Sequence, residues 1–125
     1  MSDSRVLVVD DDKIILNMIK SGLEEAGYEV IAKSNGFDAL VSLEEDKPDL
    51  IIADIMMPRL TGLDLLRAIK NNEATSKIPL IFISAMDQAK SVQEGLDLGA
   101  VDYITKPFKI SEIVGKAKHY AAISK

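Results

Sequence analysis

Short apolar runs alternate along this chain with longer segments in which apolar residues recur at helical spacing. The runs are rich in Val and Ile and lie at residues 6–9, 30–32, 50–53, 80–83 and 101–104. Several of them are apolar without alternation, which is typical of parallel strands covered on both faces. The pattern therefore predicts five strands, and the polar residues flanking the second and fifth runs place those strands at the sheet edges.

Each predicted strand is followed by an apolar stripe at i, i+3, i+4 spacing, as on the buried face of a helix. The five stripes contain Ile15, Met18, Ile19, Leu23 and Ala26; Ala39, Leu40 and Leu43; Gly62, Leu65, Leu66 and Ile69; Ala89, Val92, Leu96 and Gly99; and Ile110, Ile113, Val114, Ala117 and Ala121. Strict alternation of strands and helices predicts an α/β fold, with helices on both faces of a doubly wound parallel sheet. For five strands the common order is 2-1-3-4-5.

Composition limits the possible function classes. The chain has 125 residues, so we expect a single domain over residues 1–125 with a core at about 5–122. A net charge of −5 argues against direct nucleic-acid binding, and the absence of Cys excludes disulfides and thiolate metal sites. No apolar run approaches the ~20 residues of a membrane span and no signal peptide is visible, so we expect a cytoplasmic protein without membrane partners.

Polar side chains collect where the predicted strands end, which is the edge at which doubly wound sheets bind ligands. These side chains are Asp10, Asp11, Asp12, Asp54, Ser84 and Lys106. An Asp before a helix is ordinarily an N-cap, and we favour that interpretation for Asp12. Three adjacent carboxylates at 10–12 that face Asp54 would repel one another, which would raise their pKa values or require a cation, and Mg²⁺ suits such a cluster. A carboxylate beside Mg²⁺ is also a workable nucleophile toward phosphorus.

Four motifs carry a resemblance to a known family. Val-Leu-Val-Val-Asp-Asp-Asp at 6–12, Asp-Ile-Met-Met-Pro at 54–58 with Gly62, Ile-Ser-Ala at 83–85 and Tyr-Ile-Thr-Lys-Pro-Phe at 103–108 strongly resemble response-regulator receiver domains. The motifs occur in the family's order and spacing across about residues 5–122. The resemblance implies a flavodoxin-like, chemotaxis-regulator-like fold and a bacterial phosphoprotein of two-component signalling.

The resemblance also implies a phosphorylation site and a metal site. Asp54 matches the aspartate that accepts a phosphoryl group from a histidine kinase, a phosphotransfer protein or a small acyl phosphate. Asp11, Asp54 and the backbone carbonyl of Met56 match direct ligands of Mg²⁺, which Mn²⁺ can replace. Asp10 matches a neighbouring ligand that acts through water.

A switch is implied by the same resemblance. Ser84 and Lys106 match the side chains that contact the phosphoryl group, and the Lys106–Pro107 bond is expected to be cis. Tyr103 matches an aromatic residue that turns inward when Ser84 shifts toward the phosphoryl group. The face formed by the fourth helix, fifth strand and fifth helix would then change, and it would contact a downstream protein or a second copy of the chain.

Two methionines distinguish this chain near the expected phosphoryl group. Met56 and Met86 each lie two residues after a matched site residue, where the family's side chains flank the phosphoryl group and tune its hydrolysis. Thioethers cannot orient an attacking water by donating a hydrogen bond. We therefore expect a comparatively long-lived phosphorylated form.

Three alternatives are weighed against a receiver domain. A flavodoxin-type electron carrier shares the topology, but residues 10–12 would repel its flavin phosphate. An aspartate-nucleophile phosphohydrolase resembling haloacid dehalogenases would need a second acid where Met56 stands. A pseudo-receiver would bind partners without phosphorylation. We expect a signalling protein that assists its own phosphorylation and dephosphorylation rather than an enzyme, and the sequence leaves open its output, its kinase and whether it is a stand-alone regulator or a fragment.

Overall fold

The computed structural model describes residues 4–123, which form ten elements in strict alternation. The strands are β1 (Arg5–Val9), β2 (Glu29–Lys33), β3 (Leu50–Asp54), β4 (Leu80–Ser84) and β5 (Asp102–Thr105). The helices are α1 (Lys13–Glu25), α2 (Gly36–Glu45), α3 (Gly62–Lys70), α4 (Ala89–Leu98) and α5 (Ile110–Ile123). All strand pairs are parallel and their order is β2-β1-β3-β4-β5, which confirms the predicted fold and its two edge strands.

Two apolar cores cover the two faces of the sheet. Along β1, Leu7 and Val9 face the core beneath α2, α3 and α4, whereas Val6 and Val8 face the core beneath α1 and α5. Because successive side chains of a strand point to opposite faces, a strand that serves both cores is apolar at every position. None of the helices in the described part of the chain has the length and apolar character needed to span a bilayer.

The sequence pattern misplaced details of the fifth strand and of two helices: in α4, Ala89 is exposed and Gly99 caps the end of the helix. The fifth strand begins at Asp102 rather than one residue earlier, and Val101 is 40% exposed. In α1, Met18 is 46% exposed and Ala26 caps the end of the helix. The buried residues of α1 are Leu16, Ile19 and Leu23. Since residues 14–16 are all apolar, the sequence did not fix the rotation of α1, and packing against the sheet and α5 selected Leu16.

Short hydrogen-bond motifs hold the helix starts beside the carboxyl edge of the sheet. Asp12 caps α1, as predicted, and its Oδ1 accepts from the amides of Ile14 at 3.0 Å and Ile15 at 3.3 Å. Thr61 and Asp64 form a reciprocal capping box at the start of α3. These caps fix the ends of the loops that leave β1 and β3, and the same loops surround the candidate site.

Gly62 lets α3 start directly against the end of β3. A Cβ atom at this position would lie 2.5 Å from the backbone oxygen of Asp54 and 2.8 Å from the Cα of Ile55. The Gly62 amide donates to the Ile55 carbonyl oxygen at 3.0 Å, which fastens α3 to β3 at this point. The contact leaves no room for any side chain.

We expect Gly62→Ala to lower the free energy of unfolding by ~1–3 kcal/mol, because the added methyl group displaces backbone that cannot yield cheaply. Gly115→Ala is the matched control, since Gly115 lies within α5 and a Cβ there meets nothing within 4 Å. The control should gain up to ~1 kcal/mol from helix propensity. Urea denaturation measures both values, and equal stabilities for the two variants would contradict the close approach of α3.

Candidate functional site

Parallel pairing brings the ends of four strands to one edge of the sheet. Asp10 follows β1, Asp54 ends β3, Ser84 ends β4 and Lys106 follows β5. Asp10 is fully buried, while Asp54 is 6% and Ser84 2% exposed. Polar side chains are buried in this way only when specific partners compensate for the loss of water. The site is therefore a closely packed polar cluster rather than an exposed patch of charge.

Three carboxylates crowd together at this edge. One carboxylate oxygen each of Asp10, Asp11 and Asp54 lies within 4.8 Å of the other two. Asp10 Oδ1 accepts from the Asp12 amide at 2.9 Å, and Asp54 Oδ1 accepts from the Met56 amide at 3.1 Å. Asp10 Oδ2 is buried and accepts no hydrogen bond from the residues that the structure describes. The Lys106 ammonium faces this oxygen from 3.6 Å, which is beyond hydrogen-bond distance, so a bound cation would offset charge that Lys106 leaves.

Lys106 is the cation that faces this cluster. Its Nζ atom lies 3.3 Å from Asp54 Oδ2 and 3.6 Å from Asp10 Oδ2. The peptide bond between Lys106 and Pro107 is cis, as the family resemblance implied. Among the described residues, one ammonium group opposes three carboxylates, so the cluster keeps an excess of negative charge.

Burial and the neighbouring charges shift the pKa values of the groups in this cluster. Burial raises the pKa of Asp10 to about 6 and outweighs the hydrogen bond from the Asp12 amide, while repulsion from Asp54 acts in the same direction as burial. Burial also raises the pKa of Asp54 above its ordinary value, against the hydrogen bond from Met56 and the charge of Lys106. Burial alone would lower the pKa of Lys106, but the two carboxylates outweigh it and raise that pKa.

The donor set fits Mg²⁺. Three carboxylates supply hard oxygen ligands, and Asp10 Oδ2, which accepts no hydrogen bond from the described residues, is available to a cation or its bound water. Mn²⁺ accepts the same ligand type. Asp12 lies outside this set because its carboxylate caps α1, so the structure divides the three consecutive acids into a metal-type pair and a helix cap.

Beyond Ser84, the site borders an unfilled space between β5 and α4. Tyr103 points outward and is 43% exposed. A cavity of about 330 Å³ extends from Ser84 along α4 to Tyr103, and Val92 and Leu96 form its apolar wall. Met56 and Met86 are 49% and 80% exposed, so neither thioether is part of a core.

The comparison with protein families identifies the chain. The family described as "Response regulator receiver domain" matches residues 6–118. This chain belongs to that family. As a receiver domain of two-component response regulators, it is a phosphorylation-activated signalling switch, and nothing in residues 4–123 favours an electron carrier or a phosphohydrolase.

Individual relatives agree with the family assignment. The phosphate regulon transcriptional regulatory protein PhoB of Pseudomonas aeruginosa is 41% identical over 118 residues, covering 94% of this receiver domain and 52% of PhoB. Protein PilG of the same organism is 39% identical over 114 residues, covering 91% and 84% of the two chains. The solved receiver domain of the Francisella response regulator 1452 has a TM-score of 0.89 at 36% identity, covering 98% and 100%.

This receiver domain covers only part of the length of some relatives. It spans 48%, 52% and 47% of the first three curated relatives, or about half of their length. Two of these are named as transcriptional regulatory proteins, and the third as a DNA-binding regulator. Those names describe whole proteins, so they do not define the output of this chain.

One contact at the site was not found from the sequence. The side chain of Gln88 turns back from the start of α4, and its Oε1 accepts from the Ala85 amide at 2.7 Å. Neither residue type carries a chemical signature, and only the folded loop brings them together. Among the predicted residues, the structure brings Asp10, Asp11 and Asp54 together with Lys106.

We expect Asp10→Asn to stabilise the metal-free domain by ~2–3 kcal/mol at pH 7.5. The Asp10 carboxyl keeps its proton up to about pH 6 in the folded state but loses it near pH 3.8 in the unfolded chain, so the folded state at pH 7.5 must bury a charge. The sign follows from the raised pKa, since stability falls as the pH rises from 4 to 6. The gain of the variant should therefore vanish toward pH 4.

Thermal and urea unfolding in a chelating buffer measure this difference. Asp12→Asn is the control, since it removes an equal but exposed charge and asparagine still caps a helix. A gain of equal size in the control, or a gain that is constant with pH, would show that burial of Asp10 is not its cause.

Proposed function

We propose that Asp54 accepts a phosphoryl group from a histidine kinase, a phosphotransfer protein or a small acyl phosphate in a Mg²⁺-dependent reaction. The observation that supports this most directly is the buried Asp54 carboxylate, which lies 3.3 Å from Lys106 Nζ within a cluster of three acids. Asp11, Asp54 and the Met56 carbonyl would hold the metal directly, and Asp10 would hold it through water. Mg²⁺, when bound, supplies positive charge beside the transferring phosphoryl group.

The chemistry assigned to the protein is mainly electrostatic. A carboxylate oxygen of Asp54 attacks phosphorus, an O–P bond forms, and the bond to the donor nitrogen or oxygen breaks with its electron pair remaining on the donor. The Lys106 ammonium offsets the charge of the phosphoryl oxygens, and the Ser84 hydroxyl donates a hydrogen bond to one of them. Ser84 ends β4 and Lys106 follows β5, so the sheet holds both groups at the edge where Asp54 lies.

The switch follows from movement around β4 and β5. Ser84 moves toward the phosphoryl group, and Tyr103 turns from its exposed position into the cavity between β5 and α4. This rearrangement alters the surface made by α4, β5 and α5, through which we propose contact with a downstream protein or a second copy. Movement of one aromatic side chain is the kind of two-state change that a local charge can bias.

We propose that residues 1–125 constitute one receiver domain with its core at about 5–122, acting in the cytoplasm without direct contact to nucleic acid or membrane. The domain is a signalling protein that promotes its own phosphorylation and dephosphorylation and turns over no separate substrate. A pseudo-receiver lacks support, since the acid cluster and Lys106 are in mutual contact.

We expect incubation with acetyl phosphate and Mg²⁺ to add one phosphoryl group, seen in the intact mass. Asp54→Asn and wild-type protein in a chelator should both stay unmodified, because each lacks part of the acceptor site. Asp12→Asn is the positive control, since it changes a neighbouring acid that caps α1. An adduct that persists in Asp54→Asn would place the acceptor elsewhere. If wild-type protein stays unmodified, beryllofluoride binding decides between an ineffective donor and a pseudo-receiver.

We expect Met56→Asn to accelerate loss of the phosphoryl group about fivefold, the rate equivalent of one hydrogen bond worth ~1 kcal/mol to the attacking water. The decay of the phosphorylated mass after removal of acetyl phosphate measures this rate. Met18→Asn, the same change at a similarly exposed methionine of α1, should leave the rate unaltered. An unchanged rate in Met56→Asn would contradict the role of this side chain in lifetime.

A further inference from the structure

Gln88 binds the backbone of the residue that follows Ser84. Its side-chain Oε1 accepts from the Ala85 backbone amide at 2.7 Å, and the Gln88 backbone amide donates to the Ala85 carbonyl oxygen at 3.3 Å. The two hydrogen bonds close a ring that fixes the loop between β4 and α4. The loop therefore starts at one predicted phosphoryl contact and ends at the first turn of a helix.

The hydrogen-bond pattern of the sheet shows where the Ala85 amide points. The Ile83 carbonyl accepts from the Ile55 amide at 2.9 Å, so the polar backbone groups of residue 83 face β3. The Ser84 carbonyl accepts from the Lys106 amide at 2.7 Å, so those of residue 84 face the opposite side, toward β5. Because this direction alternates along a strand, the Ala85 amide faces β3 again, on the side where Asp54 ends that strand.

The sheet itself does not use this amide. In a continued ladder, the Ala85 amide would donate to the Ile55 carbonyl, but that carbonyl accepts from Gly62 at 3.0 Å. Gln88 supplies the missing acceptor. A phosphoryl group on Asp54 would bring strong anionic acceptors to the same side of β4, where they would compete with a neutral amide oxygen.

The Gln88 side chain does not act as a helix cap. Gln88 is the N-cap residue of α4, but no side-chain cap bond forms at this helix start. The first helical bond, from the Val92 amide to the Gln88 carbonyl, is 3.0 Å long. The first amides of a helix need side-chain or solvent acceptors. Because the Gln88 side chain accepts from Ala85, it is not available to the amides in the first turn of α4.

We propose that Gln88 occupies the Ala85 amide in the unphosphorylated domain, that a phosphoryl group on Asp54 displaces it, and that the released side chain changes the first turn of α4. The inference rests on the proposed function and assigns to it a positioning residue. Gln88 lowers the affinity of the site for a phosphoryl group and couples its arrival to α4. The cavity beside Ser84 and Ala85 gives this loop space in which to move.

The test uses beryllofluoride with Mg²⁺ as a phosphoryl mimic on the whole chain. We expect Gln88→Ala to bind it about fivefold more tightly, since no competing acceptor of ~1 kcal/mol has to be displaced. Gln88→Glu should bind it more weakly than wild type, because a carboxylate holds the amide more strongly and repels the anion. A merely structural role would move both variants in the same direction.

Matched controls come from another side-chain amide that accepts from a backbone amide. Asn72 Oδ1 accepts from the Ala74 amide at 2.9 Å, so Asn72→Ala and Asn72→Asp repeat the two changes away from the Ala85 amide and its cavity. Their affinities should match that of wild type. Amide NMR adds a direct readout, because the Ala85 resonance should shift in Gln88→Ala without ligand and again in wild type when beryllofluoride binds. Hydrogen exchange at residues 89–91 should change with it.

The outcomes separate this inference from the proposed function. The role of Gln88 would be overturned if wild-type protein binds beryllofluoride normally and both Gln88 variants bind it with the same affinity. It would also be overturned if the Ala85 resonance does not shift when beryllofluoride binds. Either result would leave the phosphorylation site intact. Wild-type protein that binds no better than Asp54→Asn would overturn both. Opposite shifts in the two Gln88 variants, together with changed exchange in α4, are the result expected.

Discussion

The repulsion among three carboxylates at one sheet edge is the constraint on which the rest of this domain depends. Asp10, Asp11 and Asp54 are held together because β1 and β3 pair in register, with Val9 opposite Ala53, directly before the acids. The two apolar cores provide the free energy that keeps these strands adjacent, and Lys106 offsets only part of the charge. The fold is therefore stable while the site keeps an excess of negative charge, which a bound cation would offset.

We expect the conformational response to a change in charge on the β4 and β5 side of the site, because the packing around the acids is uneven. On the β1 and β3 side, the loops are fixed by the Asp12 cap, the capping box of α3 and the contact of Gly62 with β3. On the β4 and β5 side, α4 starts without a side-chain cap and borders a cavity of about 330 Å³. A change in charge that both sides experience therefore moves the second side more easily than the first.

Helix α5 is joined to β5 by a separate polar network. Asp102 Oδ2 accepts from Lys116 Nζ at 2.7 Å and from the Tyr120 hydroxyl at 2.9 Å, while Oδ1 accepts from the Tyr103 amide at 2.8 Å. Although burial opposes it, these bonds hold the pKa of Asp102 below its ordinary value. The backbone at Tyr103 is thereby fixed to α5, so the tyrosine ring can reorient while the strand that carries it stays in place.

The sequence by itself determined the elements and the polar residues at the ends of the strands. Apolar runs without alternation required strands buried on both faces, and the spacing of Asp10, Asp54, Ser84 and Lys106 placed each at a strand end, because these signals are local. Tertiary structure decided what local pattern leaves open. It selected Leu16 for the buried face of α1, separated Asp12 from the acid cluster and brought Gln88 to Ala85, because each choice depends on which groups meet through space once the sheet, helices and loops are packed.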